Sequence, residues 1–484
     1  MKLYNTLSRK VEEFQPIKPP KVGFYACGLT VYDYTHLGHL RKYTMDDVLI
    51  RTLKHAGYLV KFVQNLTDVG HLASDADEGE DKLEKGARKY HQTVWDIAKK
   101  FEDYFFYSMD LMGNLRPDVS CRATDHIEEQ IALVKKLDDK GFTYQIPGDG
   151  IYFDTSKLDD YGHLARLKPE KLRAGQRVAM VEGKRNPTDF ALWKFERPGE
   201  NRAMVWPSPW AERSFPGWHV ECSAMSMKYL GEQFDVHTGG IDHIPVHHSD
   251  EIAQSEAATG KKPFVKYWVH HNFLRVDGEK MSKSLGNFFT IDDLLDRGYS
   301  PRALRMLFLS THYRSKLNFT WKTLDGMQKN YQRLCRMAQD IQQQVETIPK
   351  KATQLELTSE QRTISNKFRS VFFGFLEDDL KTPEALVVFF EVLRFADLTT
   401  LAKLQLLLEF EQIFQLDIFN PNNLLVKQYL GLEELPVEIV GILDERRIAR
   451  EQKNWYLSDK LRQDLQERGY EVIDESSGQR LRKI

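Results

Sequence analysis

The sequence predicts an α/β protein: a parallel-sheet domain carrying an insertion, then a helical bundle, then a small C-terminal domain. Three observations predict it. Residues 21–63 read as strand, crossover helix, strand; a second such unit reads across 233–269; and after residue 290 the apolar residues recur at helical spacing.

Each element follows from local chemistry. Residues 21–28, Lys-Val-Gly-Phe-Tyr-Ala-Cys-Gly, make a short apolar strand ended by glycine. From Gly38 to Ala56 the apolar side chains Leu40, Met45, Val48, Leu49 and Leu53 fall mostly three or four apart, and Gly57 closes the helix. Residues 58–63 read as the second strand. In the later unit 233–236 is a strand, Gly239-Gly240 a turn, 247–258 a helix and 264–269 a strand. Between the two units, a hairpin over 141–153 and the segment Trp206-Pro-Ser-Pro-Trp210 read as an insertion into one domain, with a separate domain as the other reading. Segments 361–376 and 384–416 are rich in Leu, Phe and Val at helical periods, which a bundle accommodates. Leu435-Pro436 marks a boundary, after which 442–468 reads as one or two amphipathic helices with an extended end. The chain so divides into 1–120 and 216–270, the two halves of the parallel-sheet domain; 121–215, the insertion; 271–345, a connecting region; 346–430, the bundle; and 435–484, the C-terminal domain.

Composition narrows the function. At 484 residues with 41% hydrophobic, the chain buries real cores, and 68 Lys and Arg against 70 Asp and Glu exclude binding nucleic acid by bulk positive charge. A local excess of three positive charges sits in 446–484. Cys27, Cys121, Cys222 and Cys335 are too few and too dispersed for a disulfide framework, which suits a reducing cytoplasm. The opening Met-Lys-Leu-Tyr-Asn-Thr does not read as a secretory leader, and no stretch reaches the ~18 apolar residues that span a bilayer, so no membrane is expected.

Two motifs carry chemistry. Thr35-His36-Leu37-Gly38-His39 opens the first helix, where free backbone N–H groups favour phosphate. Two histidines three apart share one face of the first turn and can donate to phosphate oxygens, and Gly38 leaves room for a closely stacked nucleotide. Taken alone, such a pair is more often a cap or surface feature. Lys280-Met281-Ser282-Lys283-Ser284 brackets small hydroxyl residues with two lysines in a glycine-flanked loop. Such a loop can close over a triphosphate and neutralise the charge of the leaving group. His247 and Glu251, four apart on one helix face, can reach one metal or form a simple surface pair.

Together the two motifs resemble the class I aminoacyl-tRNA synthetases. The first departs from that family's pattern only by Leu37, where isoleucine is usual. The stretches 27–39, 216–225 and 247–255 resemble, within that class, the cysteinyl-tRNA synthetase family, and the likeness runs over nearly the whole chain. The resemblance implies a Rossmann-like catalytic domain in which His36, His39, Lys280 and Lys283 stabilise the ATP phosphates. It also implies that Gly38, Gly239, Gly240 and Asp242, with Lys283, bind ATP. It further implies one zinc ion on Cys27, Cys222, His247 and Glu251, an amino-acid pocket lined by Thr67, Trp218 and His237, and Mg²⁺ accompanying ATP. In the C-terminal domain Arg450, Trp455, Asp459 and Asp474 align with anticodon-contacting positions. The partners implied are tRNA(Cys), ATP and L-cysteine, with the chain a monomer.

Three departures stand out: Leu29 where proline follows Cys-Gly in the family, Thr238 where a further glycine precedes Gly239, and an atypical continuation over 69–82. Two rivals remain at this stage. One is a ligase that adenylates cysteine and passes it to an amino sugar, which the tail 440–484 disfavours. The other is a non-catalytic tRNA-binding paralogue, which the intact histidines and lysines disfavour.

Overall fold

A computed structural model of the chain describes residues 1–70, 81–166, 182–282, 285–347, 357–420, 422, 429–430, 435–475 and 478–483. Five parallel strands form its central sheet: β1 (Lys21–Thr30), β2 (Leu59–Thr67), β3 (Val119–Arg122), β4 (Phe234–Gly240) and β5 (Val265–His271), in spatial order β5-β4-β1-β2-β3. Helix α1 (Leu37–His55) crosses from β1 to β2, α2 (Val94–Met112) precedes β3, α3 (Trp218–Leu230) precedes β4, and α4 (His247–Thr259) crosses from β4 to β5. The strand order reverses between β1 and β4. In open parallel sheets the crevice beyond the carboxyl ends at such a switch point is where ligands bind.

Two local features aim the side chains there. The β1–β2 register shifts between Ala26 and Leu29, so the chain bulges at Cys27-Gly28 and turns the cysteine toward the crevice. Gly28 is required at this bulge, because a Cβ there would lie 1.6 Å from the Asn65 carbonyl oxygen. Second, β4 runs straight through Gly239-Gly240, and the turn expected at that pair comes one step later, as the single 3-10 turn Ile241–His243. Gly240 keeps extended dihedrals, φ −75° and ψ 156°, and so prolongs the strand. The crossover through α2 to β3 was not anticipated from the sequence, and the edge strand Val119–Arg122 spans the 120/121 division. Leu29 stays in register opposite Leu66, and Thr238 is buried opposite Ala26 and Val269, so the strands absorb both departures from the family pattern.

The insertion forms a four-stranded antiparallel sheet from Thr143–Ile146, Gly150–Phe153, Phe190–Phe195 and Ser214–Pro216. Its Phe190 and Trp193 share one apolar core with Val220 and Ala224 of α3 and Ala253 and Ala257 of α4. After β5, Leu274–Val276 pairs with Glu279–Lys280 and with Leu317–Phe319. The bundle comprises Trp321–Glu346, Ser359–Glu377, Thr382–Arg394 and Thr400–Phe414, with Phe372 stacked on Phe410 at 3.7 Å. The C-terminal unit is two helices, Val437–Glu451 and Trp455–Glu467, and a hairpin, Tyr470–Glu475 with Gly478–Lys483, around Ile439, Leu443, Leu465, Val472 and Leu481. Among the described residues no helix is long and apolar enough to cross a membrane.

Helix α1 is buried on nearly every side although it carries Arg41, Asp46 and Asp47. Asp47 meets the fully buried Arg305 at 2.5 Å, and Arg305 also donates to the carbonyl oxygens of Phe414 and Met112, which ties the bundle to the sheet domain. Removing one partner of a buried ion pair strands the other charge, at a cost of about 3–5 kcal/mol. Asp47→Ala is therefore expected to lower the urea midpoint of unfolding by that equivalent; an unchanged midpoint would mean that carbonyls alone satisfy Arg305.

Candidate active site and metal centre

The first helical turn of α1 fixes both motif histidines. His36 is the N-cap, and its Nδ1 accepts hydrogen bonds from the backbone N–H groups of Gly38 (3.1 Å) and His39 (3.3 Å). His39 reciprocates, its Nδ1 accepting from the His36 N–H at 3.5 Å, and the two rings stack with centroids 3.5 Å apart. The pair is thus both a cap and a donor. An Nδ1 that accepts leaves the proton on Nε2, so each neutral ring presents an N–H on its far edge. Burial, then the neighbouring charges of His36, Lys42 and His243, hold His39 well below the usual histidine range. Gly38 serves this stacking, because a Cβ there would meet the His36 ring at 2.9 Å.

The donor cluster lies beside the pair. Cys27 from the β1 bulge, Cys222 from α3, and His247 and Glu251 one turn apart on α4 are all buried, and one ligand atom from each lies within 4.8 Å of the others. The thiols are 3.8 Å apart, far beyond a disulfide bond of about 2.05 Å. It is instead the separation of two sulfurs that share one tetrahedral zinc-sized ion at about 2.3 Å, which is about 3.8 Å. Cys27 Sγ is 3.4 Å from His247 Nε2, and Glu251 Oε1 is 3.0 Å from that same nitrogen. Glu251 Oε1 is buried without a hydrogen bond, as is His248 Nε2 nearby. A convergent set of two sulfurs, a nitrogen and a carboxylate oxygen, with an orphaned oxygen among them, fits a borderline-soft divalent cation.

The electrostatics agree. Hydrogen bonding from the Cys222 thiol, against burial and with the charge of His247, holds Cys27 well below the usual thiol range, while the same hydrogen bond and burial drive Cys222 well above it. Burial disfavours the charged form of His247, but Cys27 and Glu251 outweigh it and raise His247 well above its ordinary value.

A cavity of about 390 Å³ joins these parts. Its wall includes Cys27, Cys222, His36, Gly38, His39, Thr67, Trp218, Gly240, Asp242 and Lys280. Lys280 is exposed at the end of its short strand, and the loop after it is closed by Asn287, which donates to the Lys280 carbonyl and accepts from the Ser282 N–H at 2.7 Å. Lys283 lies outside the described residues, as do 71–80 of the atypical segment. Trp218 lies with its ring 4.6 Å from that of His247, and Thr67 donates to Glu221 at 3.2 Å. Gly239 backs the site, where a Cβ would strike the His248 ring at 2.4 Å.

One expectation is corrected. His237 does not line the cavity; it is fully buried behind the cluster, 3.0 Å from Glu251 Oε2 and stacked on Trp268. The alternation along β4 turns it toward α4, where it meets Glu251. Residues missed from the sequence include His243, which lines the cavity and with Cys27 and His248 forms a second possible donor triad, and Lys42, whose Nζ donates to the Cys27 carbonyl at 2.8 Å. The signal available was the crowding of histidines at 243, 247 and 248 after Asp242. A larger cavity, about 820 Å³, opens at the opposite, amino ends of the central strands by Lys21, Leu59 and Phe234, away from these donors.

In the C-terminal unit Asp474 receives Arg446 in a two-point contact (2.7 and 2.9 Å) and Arg450 at 3.0 Å, and Arg450 lies over the Trp455 ring at 5.8 Å. Trp455 is 56% exposed, so its ring is not spent on the local core. Asp459 is exposed one turn further along the same helix.

Residues 13–329 match the family model described as tRNA synthetases class I (C) catalytic domain, and 432–482 match that of the cysteinyl-tRNA ligase anticodon binding domain. The chain is similar to cysteine–tRNA ligase 1 of Burkholderia lata, 44% identical over 480 residues that cover 99% of this chain and 96% of the relative. It is likewise similar to the cysteine–tRNA ligase of Treponema denticola, 42% identical with 99% and 98% covered. Of solved structures, Mycobacterium tuberculosis methionyl-tRNA synthetase in complex with methionyl-adenylate shares the fold, with a TM-score of 0.55 and 15% identity over 82% of this chain and 90% of that one.

The cluster predicts tight retention of one divalent ion per chain. Cys222→Ala is expected to weaken retention by more than the ten- to hundredfold typical of losing an outer-shell partner, measured by elemental analysis after dialysis against a chelator. Wild-type retention in that variant would remove Cys222 from the ligand set.

Proposed function

This chain belongs to the cysteine–tRNA ligase family of class I aminoacyl-tRNA synthetases, and on that footing we propose that it activates L-cysteine with ATP and charges the 3′ end of tRNA(Cys). The observation that carries the reading is the four-donor cluster, two of whose members, Cys27 and Cys222, stand on the wall of the cavity that the histidine pair and Lys280 also line.

In the first step a carboxylate oxygen of cysteine attacks the α-phosphorus of ATP, and the bond to pyrophosphate breaks. Developing charge on the α-phosphate faces the Nε2–H donors of His36 and His39, which are already oriented by the cap and pay no reorganisation cost during reaction. Lys280 and Lys283 receive the pyrophosphate charge, helped by the Mg²⁺ that accompanies ATP. Gly38, Gly239, Gly240 and Asp242 seat the nucleoside. In the second step a hydroxyl of the terminal adenosine attacks the carbonyl carbon and AMP leaves, so no protein nucleophile is consumed.

Choice of amino acid is the harder demand. Serine differs from cysteine by one atom, and a shaped pocket separates near-isosteres by only about 1–3 kcal/mol. Cys27, Cys222, His247 and Glu251 would hold zinc. When bound, zinc supplies a borderline-soft acid that prefers thiolate sulfur to an alcohol oxygen. Thr67 and Trp218 then confine the rest of the small substrate. The match over 432–482 supports tRNA as acceptor over an amino sugar, and the oriented histidines support catalysis over a binding-only paralogue. We take the protein to act as a monomer in the cytoplasm, where its four free thiols stay reduced.

Amino-acid-dependent ATP–pyrophosphate exchange across the twenty amino acids tests the reading: exchange with cysteine alone, with serine at least a thousandfold slower, is the expected outcome. Equal exchange with another amino acid would overturn it. At the C-terminal unit, Trp455→Ala is expected to slow tRNA charging tenfold or more, because loss of a stacked base costs about 1–3 kcal/mol, while exchange stays at the wild-type rate. A parallel fall in exchange would make the ring structural.

A further inference from the structure

We propose that Tyr161, Asp250 and His219 form a buried relay that positions the metal ligand His247 and locks it in the one tautomer able to bind a cation. Tyr161 belongs to the insertion, Asp250 to α4 and His219 to α3. The Tyr161 hydroxyl donates to Asp250 Oδ1 at 2.6 Å, with a longer 3.5 Å alternative to the Thr188 carbonyl. Asp250 Oδ2 lies 3.3 Å from His219 Nε2, and His219 Nδ1 lies 2.9 Å from His247 Nδ1. His219, Asp250 and His247 are all buried.

Proton accounting gives the direction. A carboxylate only accepts, so the His219 nitrogen facing Asp250 carries its hydrogen, and the other nitrogen of that neutral ring is an acceptor. Two imidazole nitrogens 2.9 Å apart need one hydrogen between them, and His219 Nδ1 has none to give. His247 Nδ1 therefore donates, which makes His247 Nε2 the nitrogen that gives up its proton when a cation binds. That nitrogen is the one facing Cys27 at 3.4 Å and Glu251 at 3.0 Å. Metal-bound histidines commonly depend on such an outer partner for ring orientation and tautomer. What the geometry adds is the far end: the relay is anchored on the insertion, whose strand residue Phe190 also packs edge-on against His219 with centroids 5.5 Å apart. The seat of the insertion is thereby coupled to the ligand shell, while Glu251 is held separately by His237.

The proposal builds on the metal-centred reading above, but its test is independent of cysteine activation. Zinc affinity is measured on the full-length chain by competition with a chromophoric chelator, and the Co²⁺-substituted protein is followed by its visible absorption. Asp250→Asn and His219→Ala are expected to weaken zinc binding by about ten- to hundredfold and to shift the Co²⁺ spectrum, with Tyr161→Phe intermediate. His219→Asn is expected to recover much of the loss, because the Asn carbonyl oxygen can accept where Nδ1 did. The KM for cysteine should rise in these variants while the KM for ATP holds. Ser255→Ala, a buried α4 substitution outside the relay, controls for general loosening. Wild-type zinc affinity in Asp250→Asn, equal loss in Ser255→Ala, or no recovery in His219→Asn would each overturn the relay. A wild-type protein that holds zinc tightly yet fails to activate cysteine would overturn the proposed function and leave the relay standing.

Discussion

Four side chains that water would solvate well, two thiols, an imidazole and a carboxylate, are packed together out of its reach, and the catalytic half is arranged around making that possible. An unpaired buried charge costs several kcal/mol, so a cluster of this kind persists only where the fold supplies counter-charge and partners from every side. Here the donors come from three places: a bulge in the middle strand of the sheet, the early turns of α3, and one face of α4. The parallel topology brings these places together, because β1 and β4 are neighbours although more than 200 residues separate them in the chain. No local preference in the sequence could hold Cys27 and Cys222 at 3.8 Å; the packing of α3 on the sheet does it.

The histidine pair shows how one residue meets two demands without compromise. A helix start leaves backbone N–H groups unsatisfied. His36 satisfies two of them with Nδ1, and that choice puts its only ring proton on the opposite edge. Capping on one edge and a free N–H donor on the other are therefore two sides of one ring. The packing of Phe288 edge-on to His36, and of the Phe289 carbonyl onto the Leu37 N–H, seats the end of the signature loop against this first turn.

What the sequence made legible was local, and what it hid was relational. The strand at 21–28, the helix that follows, the helix at 247–258 and the division of the tail into helices and an extended end all rest on spacing within a few turns, and they appear with small shifts of their ends. The motif histidines and the His247/Glu251 pair were visible for the same reason. The α2–β3 crossover was not, since its short strand becomes a strand only by pairing with β2. The depth of His237, buried against Glu251, was not legible, because strand alternation says that it points to one face but not what occupies that face. The Gly-Gly pair was read as a turn from residue type alone, whereas the tight approach of His248 to Gly239 is a tertiary reason for glycine within a strand.

Helix α1 carries the consequences furthest. Its N-terminus holds the stacked histidine pair, and three of its buried charged residues reach other parts of the molecule. Arg41 donates to the carbonyl oxygens of Asn272, Phe273, His312 and Ser315; Asp46 pairs with Lys42 and His271; Asp47 pairs with Arg51 and Arg305. Lys42 in turn reaches the Cys27 carbonyl. A helix buried on nearly every side cannot slide without breaking several of these at once, so the bundle, the loop-bearing strands and the cysteine-bearing bulge share a single rigid reference. The histidine pair is consequently held in the same rigid frame as the donor cluster, the arrangement that the proposed adenylation requires if one small substrate is to span both.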